Sequence, residues 1–231
     1  MMDAVLKGDS AGATPAHPRT RSDPSCQYLV FDLETTGLGN SCRIVEFAGL
    51  VLDPSLRSLS LYETVIDPGV PPGPTWLHGL SRQTLDGAPC FSGVAADIER
   101  LFHDRIIVAH NLRFDWSTLR RAFRVLDVEA PITPGGICTA EVARHAIGGS
   151  HDLVSLCRRL GVEHATPHRA ACDVAATADV LRILRQLAPS ATRGHPCHLF
   201  AGAWRLQRSV PPRRRADAGD AAHSELERRD L

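Results

Sequence analysis

Lysine is nearly absent from this sequence of 231 residues: Lys7 stands alone, and every other basic side chain is arginine. The 26 basic residues are balanced by 26 acidic ones, so formal net charge is zero. That argues against a protein that grips a polyanion by bulk electrostatics, though not against one that binds it locally. No run of about 18 apolar residues exists, which excludes a membrane-spanning helix. The N-terminus lacks the charged-then-apolar pattern of a signal peptide. Residues 1–26 are rich in Ala, Pro, Ser and Asp and read as a flexible leader on a cytoplasmic protein. Seven cysteines occur without one Cys-x-x-Cys pair. An odd, scattered set fits reduced, mostly buried thiols rather than a disulfide framework or a zinc site. His195, Cys197 and His198 lie close together, but nothing nearby offers a fourth ligand.

What is present centres on Tyr28 to Gly37, an apolar run that ends in carboxylates: Tyr-Leu-Val-Phe-Asp-Leu-Glu-Thr-Thr-Gly. Residues two apart on a strand share a face, so Asp32 and Glu34 project together with Val30. The stretch before Asp32 is apolar on both faces, as in a strand covered on both sides. Two anions on a buried strand need a counter-charge, and a divalent metal is the simplest one. The alternative is a half-exposed strand whose polar face is acidic.

Downstream, Arg43 to Leu52 and Leu59 to Ile66 are β-rich runs around the Asp53-Pro54-Ser55 turn, which predicts an antiparallel three-stranded meander. Prolines 68, 71, 72 and 74 make residues 67–79 a loop. A helix is predicted from about Ser92 to Phe102, then a short buried strand at Ile106 to Ala109. Asn111 is a candidate N-cap for a helix from Leu112 to about Leu126, whose inward stripe (Leu112, Asp115, Leu119, Ala122, Leu126) contains an acid. A strand or loop near Gly136 to Cys138 precedes short helices at Thr139 to His145 and Asp152 to Leu160. The last long helix is expected to open at Thr166-Pro167-His168 and run to about Leu187, with Asp173, Thr177, Val180, Leu184 and Leu187 inward. One inward carboxylate has a bland explanation in a buried salt bridge. Two, added to Asp32 and Glu34, point to a single metal-binding cluster. Residues 188–231 shift in composition, with Pro211 to Arg215 and further arginines, and read as a basic, mostly disordered tail.

Three motifs stand in order: Asp32-x-Glu34-Thr35-Thr36-Gly37, His110-Asn111-x-x-Phe114-Asp115, and His168-x-x-x-x-Asp173. Together they resemble the DEDDh family of 3′ to 5′ exonucleases, with the proofreading epsilon subunits of bacterial DNA polymerase III the nearest likeness, over about residues 27–187. The four-residue gap between His168 and Asp173 favours the histidine branch. The resemblance implies an α/β, ribonuclease H-like fold, a mixed sheet with helices on both faces.

It further implies two Mg²⁺ or Mn²⁺ ions roughly 3.5 to 4 Å apart, held by Asp32, Glu34, Asp115 and Asp173. In the family pattern Asp32 bridges both ions, Glu34 and Asp173 complete the site of the nucleophilic water, Asp115 supports the second ion, and His168 takes the proton. Thr35, Thr36, Gly37 and Leu38 resemble the segment that holds a 3′-terminal nucleotide, and His78 with Leu80 the segment against its base. The expected partner is a nucleic acid with a free 3′ end; a DNA polymerase subunit bound through the tail is a further one. RNA trimming, a catalytically silent binding module of the same fold, and hydrolysis of small phosphates are the competing readings.

Overall fold

A computed structural model describes residues 26–192 apart from 132, 134 and 150. The central strand is β1 (Tyr28–Thr35), flanked by β2 (Ile44–Leu52) and β4 (Ile106–Ala109), with β3 (Ser58–Val65) and β5 (Gly136–Cys138) outermost in the order β3-β2-β1-β4-β5. Pairing is antiparallel among β1, β2 and β3 and parallel from β1 to β4 and β4 to β5. The mixed sheet and the expected meander are therefore both present. Leu29, Val30 and Phe31 are completely buried, as the two-sided apolar pattern requires, and each contributes about 1.5–3 kcal/mol by leaving water. The edge strand β3 alternates little and is largely exposed along its length.

Helices α1 (Thr75–His78), α2 (Phe91–Phe102), α3 (Leu112–Val125), α4 (Thr139–Ile147), α5 (Leu153–Leu160) and α6 (Ala170–Leu187) complete the described chain. Tyr28, Val30, Leu50, Val108 and Ile137 pack with Val142, Leu156, Val174, Leu181 and Leu184 of α4, α5 and α6 on one face of the sheet. Phe31 and Phe47 meet Phe102 of α2, which in turn meets Trp116 of α3, on the other. Asp32 and Glu34 belong to the α6 face by strand alternation.

Several boundaries differ from expectation. Helix α6 begins at Ala170, not Thr166; Arg169 is extended at its N-cap, and His168 just before it has a φ of +64°. The reason is tertiary. Glu46 of β2 accepts the Ala170 N–H at 2.9 Å and the Arg169 guanidinium, so the helix takes its cap from a strand rather than from Thr166. Asn111 stands at the α3 N-cap without a side-chain cap bond, whereas Asp152 does cap α5 by accepting from the Ser155 N–H. Leu187 is exposed, and Ala122 and Leu126 are only half-buried; Trp116 and Phe123 fill the core instead. Of the six described cysteines only Cys138 and Cys157 are fully buried, and Cys42, Cys90, Cys138, Cys157 and Cys172 are free thiols. Among the described residues no helix is long and apolar enough to cross a membrane. The expectations for residues 1–25 and 193–231, including the His195 to His198 cluster, lie outside the described residues.

Candidate active site

The carboxylates expected from sequence are delivered by three elements. Asp32 and Glu34 lie at the C-terminal end of β1, Asp115 in the first turn of α3 and Asp173 in the first turn of α6. Glu34, Asp115 and Asp173 are 7%, 4% and 8% exposed, so the charges share a nearly dry space. One oxygen of Glu34, one of Asp173 and a ring nitrogen of His168 lie within 4.8 Å of one another. Asp32 and Asp115 lie outside that trio but close enough to share its electrostatics.

The acidities record this crowding. Burial, then repulsion from Asp115, Asp173, Glu34 and Glu46, holds the Asp32 carboxyl far above the usual carboxylate range. Burial, then Asp173, Glu46 and Asp115, pushes Glu34 up to about 8. Asp115 is also pushed to about 8, mainly by burial, with hydrogen bonding at the backbone of Asp115 and Leu33 pulling the other way. Asp173 is raised by burial and partly relieved by His164 and His168. Among the described residues no arginine or lysine forms an ion pair with Asp32, Glu34 or Asp115. Hard oxygen donors crowded together without an organic cation fit a divalent metal of the Mg²⁺ or Mn²⁺ type. The bland explanation for Asp115, a buried salt bridge to an arginine, is not what this site contains.

Three further residues complete the surroundings, two of them without a role in the sequence motifs. Glu46 is 3% exposed and stands directly opposite Glu34 in the β1–β2 register. Its charge is met by Arg169, whose Nη2 lies 2.8 Å from Oε1. A sequence signal for it exists: Glu46 interrupts the apolar run Ile44–Leu52 as Asp32 interrupts β1. His164 places Nε2 2.6 Å from Asp173 Oδ1, with no periodic pattern around it to betray the contact. His110, expected from its motif, has both ring nitrogens engaged, Nδ1 with the Thr139 hydroxyl at 3.0 Å and Nε2 with the His151 carbonyl at 2.6 Å. That makes it a tie between the end of β4, α4 and the loop before α5.

The residues expected to touch substrate are distributed unevenly. Thr35 donates its hydroxyl to the Gly37 carbonyl at 2.8 Å, and the Thr36 hydroxyl accepts from the Arg43 N–H at 3.1 Å. These bonds shape the β1–β2 turn and leave Leu38 88% exposed at its tip. Gly73 presses on the same turn: a Cβ there would stand 2.0 Å from the Thr36 carbonyl oxygen, and its φ is +85°. This close approach brings the α1 segment against the turn. His78 is buried, with Nδ1 accepting from the Leu80 N–H at 3.0 Å. The Leu80 side chain packs in a small core with Val45 and Leu85, so in this arrangement it shows no surface to a base.

With the geometry established, comparison with known proteins is decisive. The RNase_T exonuclease family matches residues 29–181, the whole region that builds the site. The chain belongs to the exonuclease family. Relatives of this exonuclease include DNA polymerase III of the PolC type from Staphylococcus epidermidis, 31% identical over 77% of this chain, and from Bacillus subtilis, 33% identical over 74% of it. The exonuclease chain spans only about an eighth of their length, 13% and 12% respectively. Among solved structures it resembles exonuclease I, with a TM-score of 0.65 and 21% identity over 72% of this chain and 42% of that one. It also resembles the nuclease domain of 3′hExo, a DEDDh family member bound to rAMP, with a TM-score of 0.61 and 14% identity over 74% and 96%. These likenesses show the ribonuclease H-like fold. Family membership makes this exonuclease a nuclease, a hydrolase of phosphodiester bonds, and implies dependence on a divalent metal.

Proposed function

We propose that the chain removes 5′-mononucleotides from the 3′ end of DNA, using Asp32, Glu34, Asp115 and Asp173 as metal ligands and His168 as general base. The observation that carries the reading is the convergence of Glu34, Asp173 and His168 within 4.8 Å beside two further carboxylates of raised pKa. Two Mg²⁺ or Mn²⁺ ions, when bound, would neutralise these carboxylates and withdraw charge from the phosphodiester. The protein's own part is to hold hard oxygen ligands in a dry pocket and to remove a proton. The reading of His168 as the base is supported by its half-burial, its position in a turn outside α6 and the ring nitrogen it turns to the carboxylates. General-base removal of the proton from the attacking water contributes about 10² to 10⁴ in rate.

DNA is favoured as substrate because the relatives named above are DNA polymerases and because one fold neighbour, Exonuclease X, is in complex with 5′ overhanging duplex DNA. The turn at Thr35, Thr36, Gly37 and Leu38 would receive the terminal nucleotide, with His78 behind it. The same likeness makes a DNA polymerase the partner to test, through the basic segment that follows the exonuclease domain.

The deciding experiment incubates the full chain with 5′-labelled single-stranded DNA, mismatched primer-template and RNA of matching sequence, with Mg²⁺, Mn²⁺ or chelator. A metal-dependent ladder descending from the 3′ end of DNA is expected. Preference for RNA would make the enzyme a 3′ to 5′ exoribonuclease; no degradation of any substrate would overturn the assignment. Truncation after Thr192 should spare hydrolysis of free oligonucleotides while weakening any polymerase complex.

A further inference from the structure

Building on Asp173 as a metal ligand, we infer that His164 is a positioning residue for that carboxylate: its Nε2–H holds Oδ1 and leaves Oδ2 to the cation. The contact of 2.6 Å is at the short end for a nitrogen donor. Both side chains are buried, 6% exposed for His164 and 11% for Asp173, so water does not compete for the bond.

The other ring nitrogen defines what kind of partner His164 is. Its Nδ1 is buried without a hydrogen-bond partner among the described residues. A neutral ring protonated at Nε2 leaves only an unused lone pair there. A ring with a proton on Nδ1 would bury an unsatisfied N–H, costing about 1–3 kcal/mol. The unpartnered Nδ1 and the short Nε2 contact fit a ring that donates from Nε2 to Asp173. An arginine in its place would orient Asp173 but also cancel its charge, as Arg169 does for Glu46. A single ring N–H on one oxygen orients the ligand and leaves its second oxygen to a divalent cation.

Two histidines four residues apart thus approach one carboxylate with different work. His164 fixes Asp173, while the ring of His168, across the turn made by its positive φ, faces both Asp173 and Glu34. With Oδ1 held, the first-turn carboxylate of α6 cannot swing away from Glu34 when no cation is present.

The test measures Mn²⁺ affinity of the full chain, without nucleic acid, by calorimetry or electron paramagnetic resonance, with thermal melts to verify folding. His164→Phe keeps ring volume and loses the donor; His164→Gln keeps a donor in a different shape. Affinity is expected to fall about 10- to 100-fold in the phenylalanine variant and to remain near the unsubstituted level in the glutamine variant. The reverse order would make His164 a packing residue and overturn the inference. Asp173→Asn separates the two levels. If it loses Mn²⁺ while His164→Phe binds normally, the positioning role fails and the ligand assignment stands. If Asp173→Asn itself binds normally, both fall. A measurement free of substitutions is ¹H–¹⁵N correlation of the histidine rings in the unsubstituted protein. His164 should show the Nε2–H tautomer with a slowly exchanging proton, with and without Mg²⁺; an Nδ1–H tautomer would overturn the inference.

Discussion

Asp32 is the residue at which the site's electrostatic tension is greatest, since four other carboxylates add to the burial that raises its pKa. Neutralising it relieves repulsion that only a cation otherwise relieves. Asp32→Asn should therefore stabilise the metal-free protein by about 1–3 kcal/mol at pH 8, read from denaturant midpoints, while lowering nuclease activity by about 10³-fold or more. A variant that loses activity and stability together would mean that Asp32 serves packing instead. His168→Ala separates base from ligand. With His168 as the proposed general base, turnover should fall about 10²- to 10⁴-fold on this substitution with little change in Mn²⁺ affinity. A collapse of Mn²⁺ affinity would instead make His168 a metal ligand, which its distance to Glu34 and Asp173 permits.

At the scale of elements, the start of α6 is set from a distant strand, β2, through Glu46 accepting from both Arg169 and the Ala170 N–H. Arg169→Ala strands a buried carboxylate opposite Glu34, and should cost about 2 kcal/mol, less than a fully buried pair because Arg169 is half-exposed. Glu46→Gln keeps an acceptor for Ala170 and should cost less; the double variant should recover part of the Arg169→Ala loss, a coupling that a thermodynamic cycle measures directly. The same contact marks the reach of local sequence patterns. Strand alternation and helical periodicity made legible the β1 carboxylates, the meander, and the inward acids of α3 and α6, because those signals are local. The cap of α6, the bond from His164 to Asp173 and the two ties of His110 join residues 9 to 124 positions apart. No spacing rule carries such contacts. Thr166-Pro167 looks like a helix start because local chemistry favours one there, and a buried glutamate outcompetes it. Leu80 likewise belongs to a recognisable segment, yet its side chain is drawn into the core with Val45 and Leu85.

For the molecule as a whole, the crowded carboxylates tie stability to pH and metal. Glu34 moves from an ordinary value of 4.5 to about 8, and Asp115 from 3.8 to about 8. Between those limits the folded, metal-free chain keeps protons that the unfolded chain has released, so its stability must fall as pH rises through that window. Below about pH 4 the two groups are protonated in both states and contribute no such slope; above about pH 8 they are ionised in both, and the loss is complete. A divalent cation binds the ionised form, so it should restore most in the upper part of the same window. Thermal melts in chelator should therefore show a midpoint that declines from about pH 5 to about pH 8, and the increment from added Mg²⁺ or Mn²⁺ should grow over that range. The Asp32→Asn protein should show a shallower decline and a smaller metal increment, since one of the repelling charges is gone. An increment that is flat across pH would disconnect the cation from these carboxylates. An increment that grows in the native chain and is unchanged in Asp32→Asn would keep the cation at the site but remove Asp32 from its ligands.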